Sequence, residues 1–156
     1  MALAIEENLI LLDIVEDKKE NLLGRMAGLL EKGGYVKFSY RDAVISREKI
    51  FATGLPTVFG GVAIPHTDVE HVQKSAIAIA RLKKPVEFIV MGDNNKTIDV
   101  KFVFMLALKE AHAQIDILQN LMGIFQDEVA LKFLQQACSK AEIVTFMQQC
   151  FMRHSR

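Results

Sequence analysis

The residues with the greatest capacity for chemistry fall between positions 47 and 71, REKIFATGLPTVFGGVAIPHTDVEH. His66 follows the apolar run Val62-Ala63-Ile64 and then Pro65. Proline locks its own φ and pushes the residue before it to an extended conformation, so this spacing predicts a strand whose rigid end carries an imidazole. A neutral imidazole keeps one ring nitrogen unprotonated at physiological pH and can form a covalent intermediate. Gly60 and Gly61, just upstream, suit a tight turn or a close approach of backbones. A histidine in this setting also serves simply as a satisfied turn residue, and spacing alone leaves both readings open.

Other groups could serve such a site. Arg47 lies between Val44 and Phe51 at helical spacing, where a planar guanidinium can offer paired donors to phosphoryl oxygens or merely snorkel past the core. His112 stands three residues before Ile115, at the first turn of a helical stripe, as a hydrogen-bond donor or a structural residue. Thr53 and Thr67 flank His66 and carry hydroxyls able to donate to phosphate. His71 reads as a structural or rim residue. A metal-dependent hydrolase built on His66, Asp68, His71 and His112 is an alternative, although their spacing matches no established metal motif. No Gly-rich loop ending in Lys-Ser or Lys-Thr is present, and no cofactor is expected. Cys138 and Cys150 have no basic neighbour that would favour a thiolate, and are assigned to the core.

These groups need a scaffold. Residues 9–15 are apolar and short, a strand or a docking arm. A helix opens at Asp17, shows Leu22, Leu23, Met26, Leu29 and Leu30 at helical spacing, and stops at Gly33-Gly34. A second helix follows Ser39, with Asp42 giving a capping-box-like start, and runs to about Ala52. Residues 75–82 alternate isoleucine with alanine, and 86–91 form another apolar strand, followed by a turn-rich loop over 92–96. Within 99–108, Val100, Phe102, Phe104, Leu106 and Leu108 share one face, and Val103, Met105 and Ala107 the other. Strands apolar on both faces belong in a sheet covered on both sides. Helices headed by Asp127 and by the Ser139/Glu142 box, together with the stripe Ile115, Leu118, Met122 and Phe125, supply covers. The fold class is α/β, a mixed β-sheet covered by helices on both faces, in one domain over 1–156.

Composition bounds the partners. The chain has 156 residues, 51% hydrophobic and 24% charged, with Lys plus Arg and Asp plus Glu both 19. That balance sets up no field for nucleic acid or an anionic membrane. No apolar run is long enough to span a bilayer, and the acidic N-terminal stretch is unlike a secretory signal, so the expected location is cytoplasmic.

The stretch TGLPTVFGGVAIPHT, with Arg47-Glu48 upstream and His112 at the start of a later helix, resembles the mannitol/fructose-type enzyme IIA superfamily of the bacterial sugar phosphotransferase system. The resemblance covers nearly the full chain. It implies that His66 is the phosphorylated histidine, Arg47 the arginine pairing with the phosphoryl group, and His112 the second active-site histidine. It implies HPr as phosphoryl donor and a cysteine of enzyme IIB as acceptor, with the membrane component IIC involved only indirectly. Two features depart from the mannitol and fructose types: Thr67 stands where many members have glycine, and the interval from Arg47 to His66 is longer. The interval, with the run HVQKSAI, looks more like the galactitol-type branch. A regulatory module of the same fold, signalling by phosphorylation state, is the other reading the resemblance allows.

Overall fold

The apolar run near the N-terminus is a strand, β1 (Ile10–Ile14). Two helices follow, α1 (Lys19–Lys32) and α2 (Tyr40–Ile50). A short hairpin, β2 (Gly54–Thr57) and β3 (Gly60–Ala63), precedes a long one, β4 (Ala76–Val90) and β5 (Asp93–Ala107). Three helices close the chain: α3 (Ala113–Phe125), α4 (Glu128–Gln136) and α5 (Lys140–His154). This computed structural model describes residues 3–154.

The strand order is β1-β4-β2-β3-β5, and β4 also pairs antiparallel with β5 along its length. β4, β2, β3 and β5 therefore close on one another, with β1 parallel on the outer side of β4. The sheet is mixed, with parallel β1–β4 and β3–β5 pairs beside antiparallel β2–β3 and β4–β5 pairs. Along β4, Ala76, Ala78 and Ala80 face a core shared with Leu22, Met26 and Leu30 of α1. Ile77 and Ile79 face the opposite core, with Leu121 of α3, Leu134 of α4 and Met147 of α5. Small residues on one side let α1 approach closely, and large ones fill the wider gap on the other. Phe104 is fully buried there between Phe102 and Phe125, and burial of such a ring stabilises by about 1.5–3 kcal/mol.

Several elements differ from their sequence patterns for identifiable reasons. The two strands expected over 75–82 and 86–91 are one strand, β4, with a register shift between Arg81 and Val86. The exposed Lys83-Lys84-Pro85 sit at that irregularity, where a missing proline N–H costs no ladder bond. Most of the expected 92–96 loop belongs to β5, because Gly92 at φ +79° turns the chain at once. Val100 packs in the α1 core rather than beside Phe102: the partners on β3 step from Gly61–Val100 to Val62–Phe102, so Lys101 bulges and the alternation flips. The helix expected from Asp17 begins at Lys19. Ser39 does not cap α2 with its side chain; its hydroxyl bonds Nδ1 of His71 at 2.7 Å instead. Asp127 does cap α4, accepting from the N–H groups of Val129 and Ala130. Cys150 is buried as expected, but Cys138 is exposed because it lies between α4 and α5.

The far end of α4 is locked by Arg81. Its guanidinium donates to both oxygens of Asp13 (2.9 and 3.0 Å) and to the carbonyls of Leu134, Gln135 and Ala137. Asp13 has φ +54°, a conformation that non-glycine residues hold only when their surroundings fix it. No helix among the described residues is long and apolar enough to cross a membrane.

Candidate active site around His66

β3 ends at Ala63, and the chain continues beside β5 through Pro65, whose carbonyl accepts from the N–H of Leu106 at 2.9 Å. His66 then forms a parallel bridge with Leu106, so the imidazole sits at the strand end that the proline predicted. Two glycines make this approach possible. Gly60 adopts φ +103° in the hairpin turn, and a side chain on Gly61 would lie 2.6 Å from the Asp99 carbonyl.

The imidazole is half-buried, with Nδ1 at 2.8 Å from the Ile64 carbonyl oxygen. A carbonyl can only accept, so Nδ1 carries the proton. In the neutral ring the lone pair then belongs to Nε2.

Arg47 projects from the last turn of α2 to the loop beyond His66. Its Nη1 lies 3.6 Å from Oδ1 of Asp68, and its guanidinium stands over the Phe51 ring at 4.9 Å from the centroid. The aromatic face supports the cation while leaving other N–H groups available. Asp68, 68% exposed, is a partner that solvent can easily replace.

The two threonines separate clearly. Thr53 is buried, and its hydroxyl donates to Oε1 of Glu48 at 2.7 Å while accepting from the Ile64 N–H at 3.2 Å. Its hydroxyl is committed inside the protein, so the structure corrects the sequence reading of Thr53 as a phosphate donor. Thr67 is also buried but has no such side-chain bond among the described residues, which leaves it the better placed of the pair.

His112 precedes α3 as its N-cap residue, with a side chain 85% exposed and paired to Glu110 at 3.1 Å. Among the described residues no hydrogen bond or ion pair joins it to His66 or Arg47. It follows β5, which ends at Ala107 just beyond the Leu106 bridge to His66. His71 is tied to Ser39 and Glu70, consistent with a rim role. Among the described residues no three His, Cys, Asp or Glu side chains come together as a metal-ligand group, so His66, Asp68, His71 and His112 are not gathered into one.

The apolar residues near the site divide likewise. Val58 and Phe59 form the tip of the β2–β3 hairpin and are exposed, whereas Val62 is core. Sequence names Asp68 only as a ligand of the alternative metal site and Glu48 only as the neighbour of Arg47 in the family motif, and it does not single out Tyr40. The available signal was the spacing of Tyr40, Val44 and Glu48, which places two polar groups on the buried stripe of α2.

Comparison with known proteins adds the following. Residues 4–150 match the family described as phosphoenolpyruvate-dependent sugar phosphotransferase system, EIIA 2. The chain is 32% identical over 140 residues to the transcriptional regulator ManR of Bacillus subtilis, an alignment covering 89% of this chain and 20% of that protein. It is 32% identical over 93 residues to the galactitol-specific EIIA component of Escherichia coli K12, covering 60% of this chain and 61% of that one. The chain thus spans only a part of these relatives' lengths. The fold matches enzyme IIA of the mannitol system from Escherichia coli, solved in complex with phosphorylated enzyme IIB, with a TM-score of 0.77 at 24% identity over 95% of this chain and 99% of that one.

Proposed function

The chain belongs to the EIIA 2 family of the phosphoenolpyruvate-dependent sugar phosphotransferase system, and from that premise we propose that it is a phosphocarrier whose acceptor atom is Nε2 of His66. The observation that carries the reading is the Nδ1–Ile64 hydrogen bond, which leaves Nε2 as the nucleophilic nitrogen of a half-exposed ring.

In the first half-reaction the Nε2 lone pair attacks the phosphorus of the phosphohistidine of HPr in line. The new N–P bond forms as the bond to the donor nitrogen breaks, and the donor ring takes that electron pair. In the second, a cysteine thiolate of enzyme IIB attacks the phosphorus and Nε2 recovers its lone pair. Nδ1–H keeps its hydrogen bond throughout, so charge developing on the ring is met by the Ile64 carbonyl. The phosphoryl group brings about −1.5 to −2 charges, by analogy with side-chain phosphates. Arg47 turns from Asp68 to meet it, and a swing of the exposed His112 side chain adds a donor. Thr67 contributes its hydroxyl. Little else is demanded, since phosphoryl transfer depends on positioning and charge stabilisation.

The galactitol-specific relative supports galactitol or a related polyol as the transported substrate, and a carrier that takes its phosphoryl group from HPr would act in the cytoplasm. The exposed hairpin tip at Val58 and Phe59 suits docking of both protein partners. A second reading, in which the phosphorylation state of this domain regulates a partner, is favoured by the likeness to ManR.

The test is incubation with phosphoenolpyruvate, enzyme I and HPr, read by intact mass beside His66→Ala. One acid-labile phosphoryl group on the wild type and none on the variant is the expected result. No gain, with the same donor system active on a control acceptor, would reject the reading. Passage of the group to an enzyme IIB separates transport from regulation.

A further inference from the structure

α2 buries two polar side chains, Tyr40 and Glu48, on the stripe it turns toward the sheet. An apolar residue would fill either place without the desolvation cost that a buried carboxyl carries. Both are spent on the same short stretch of chain. Tyr40 donates its hydroxyl to the carbonyl of Leu106 at 2.6 Å, and Leu106 is the residue bridged to His66. Glu48, only 2% exposed, accepts from both donors of Thr53: the N–H at 2.8 Å and the hydroxyl at 2.7 Å. The Thr53 oxygen in turn accepts the Ile64 N–H, and the Ile64 carbonyl holds Nδ1 of His66.

We propose that Glu48 is a positioning residue for His66, holding the imidazole through Thr53 and Ile64 in the tautomer that presents Nε2. This rests on the reading of His66 as the phosphoryl acceptor. A threonine hydroxyl has a single proton; Glu48 takes it, so the oxygen lone pairs are turned to Ile64. Pro65 already restricts the backbone angle that aims the Ile64 carbonyl. The Thr53 bond settles where that residue sits, and the Leu106 bond to Pro65 holds the other side. The Ile64 N–H keeps a second, longer contact to the Thr53 carbonyl at 3.4 Å. Loss of the hydroxyl therefore loosens the strand end without detaching it.

Three variants separate positioning from plain structural support. Thr53→Val removes the hydroxyl at similar volume, Thr53→Ser keeps it, and Glu48→Gln keeps the shape while giving up one acceptor oxygen. Two quantities are read for each: the tautomer of His66 from its ring 15N resonances, and the single-turnover rate of phosphoryl transfer from phospho-HPr. The wild type and Thr53→Ser are expected to hold the Nδ1–H form. Thr53→Val and Glu48→Gln are expected to gain the Nε2–H form and to slow by about ten- to hundred-fold, the scale of a misplaced reacting group. Should Thr53→Val fail to fold, Glu48→Gln makes the same comparison. A wild-type tautomer in both Thr53→Val and Glu48→Gln, whatever their rates, would overturn the proposal. A wild type that takes no phosphoryl group would fail the acceptor reading instead, and the ring resonances would still decide the role of Glu48.

Discussion

Replacing Asp68 with asparagine tests whether Arg47 exchanges one partner for another during the reaction. In the structure Nη1 of Arg47 lies 3.6 Å from an Asp68 oxygen, in a pair whose side chains are 35% and 68% exposed. Exposed pairs of this kind contribute about 0.2–1 kcal/mol. A phosphoryl group with nearly two charges, bonded by a guanidinium fork, gains about 1.5–3 kcal/mol from each charge-assisted hydrogen bond. Arg47 should therefore leave Asp68 for the phosphoryl group. Removing the competitor in Asp68→Asn raises the equilibrium phosphorylation of His66 against phospho-HPr by at most about five-fold, since 1.4 kcal/mol is a factor of ten. Arg47→Ala lowers it by about ten- to hundred-fold, from the loss of at least one such bond. The assay is the fraction phosphorylated, by intact mass, over a series of phospho-HPr to HPr ratios. The double variant carries the argument: with Arg47 absent, Asp68→Asn should change nothing. A gain of the same size in both backgrounds would mean that Asp68 simply repels the phosphoryl group through space. An Arg47→Ala variant within about two-fold of wild type, the scatter of independent sites, would refute the role of the arginine. The Asp68→Asn gain should also shrink with added salt, because an exposed pair is screened.

Two further outcomes concern stability. Burial holds the Glu48 carboxyl above its ordinary value of 4.5, opposed in part by the Thr53 hydrogen bonds and Lys19. The folded protein then binds this proton more tightly than the unfolded chain, so the contribution is full below about pH 4.5 and is lost as pH rises through the folded value. Urea unfolding of wild type beside Glu48→Gln from pH 4 upward should show the wild type losing stability relative to the variant, and a difference that is flat or of opposite sign would refute this. Arg81→Ala removes the clasp between Asp13 and the end of α4 and should cost about 2–3 kcal/mol, or about 4–12 °C in Tm. The Arg81 hydrogen bond holds the Asp13 carboxyl below its ordinary value of 3.8, so that share of the stability is present above about pH 3.8 and lost as pH falls through the folded value. Thermal melts at pH 7 and pH 3 should show a smaller Arg81→Ala deficit at the lower pH.

Much of this protein was legible from local pattern. Proline ahead of His66, glycines before its strand and isoleucine-alanine alternation each act within a few residues, so strand end, hairpin and two-sided sheet followed from the chain itself. The resemblance carried Arg47 and His112; Arg47 reaches Asp68, just beyond His66, whereas the exposed His112 pairs with Glu110. What local pattern could not express was pairing between distant segments. Val100 follows the alternation of 99–108 until the β3 register shift turns Lys101 out, a matter of strands meeting rather than of composition. Arg81 reads as a mid-strand charge, yet it anchors Asp13 and three carbonyls around the end of α4.

The chain by itself determined that His66 is carried at a strand end, because proline holds the preceding Ile64 extended and cannot itself continue a ladder. Only the tertiary structure decided which nitrogen of that histidine is available. That choice depends on a single hydrogen bond to the Ile64 carbonyl, and the placement of Ile64 depends in turn on Thr53 and a carboxyl buried on another element. A proton's position on a ring is set by what surrounds it in space, and the surroundings exist only once α2 has packed against the sheet.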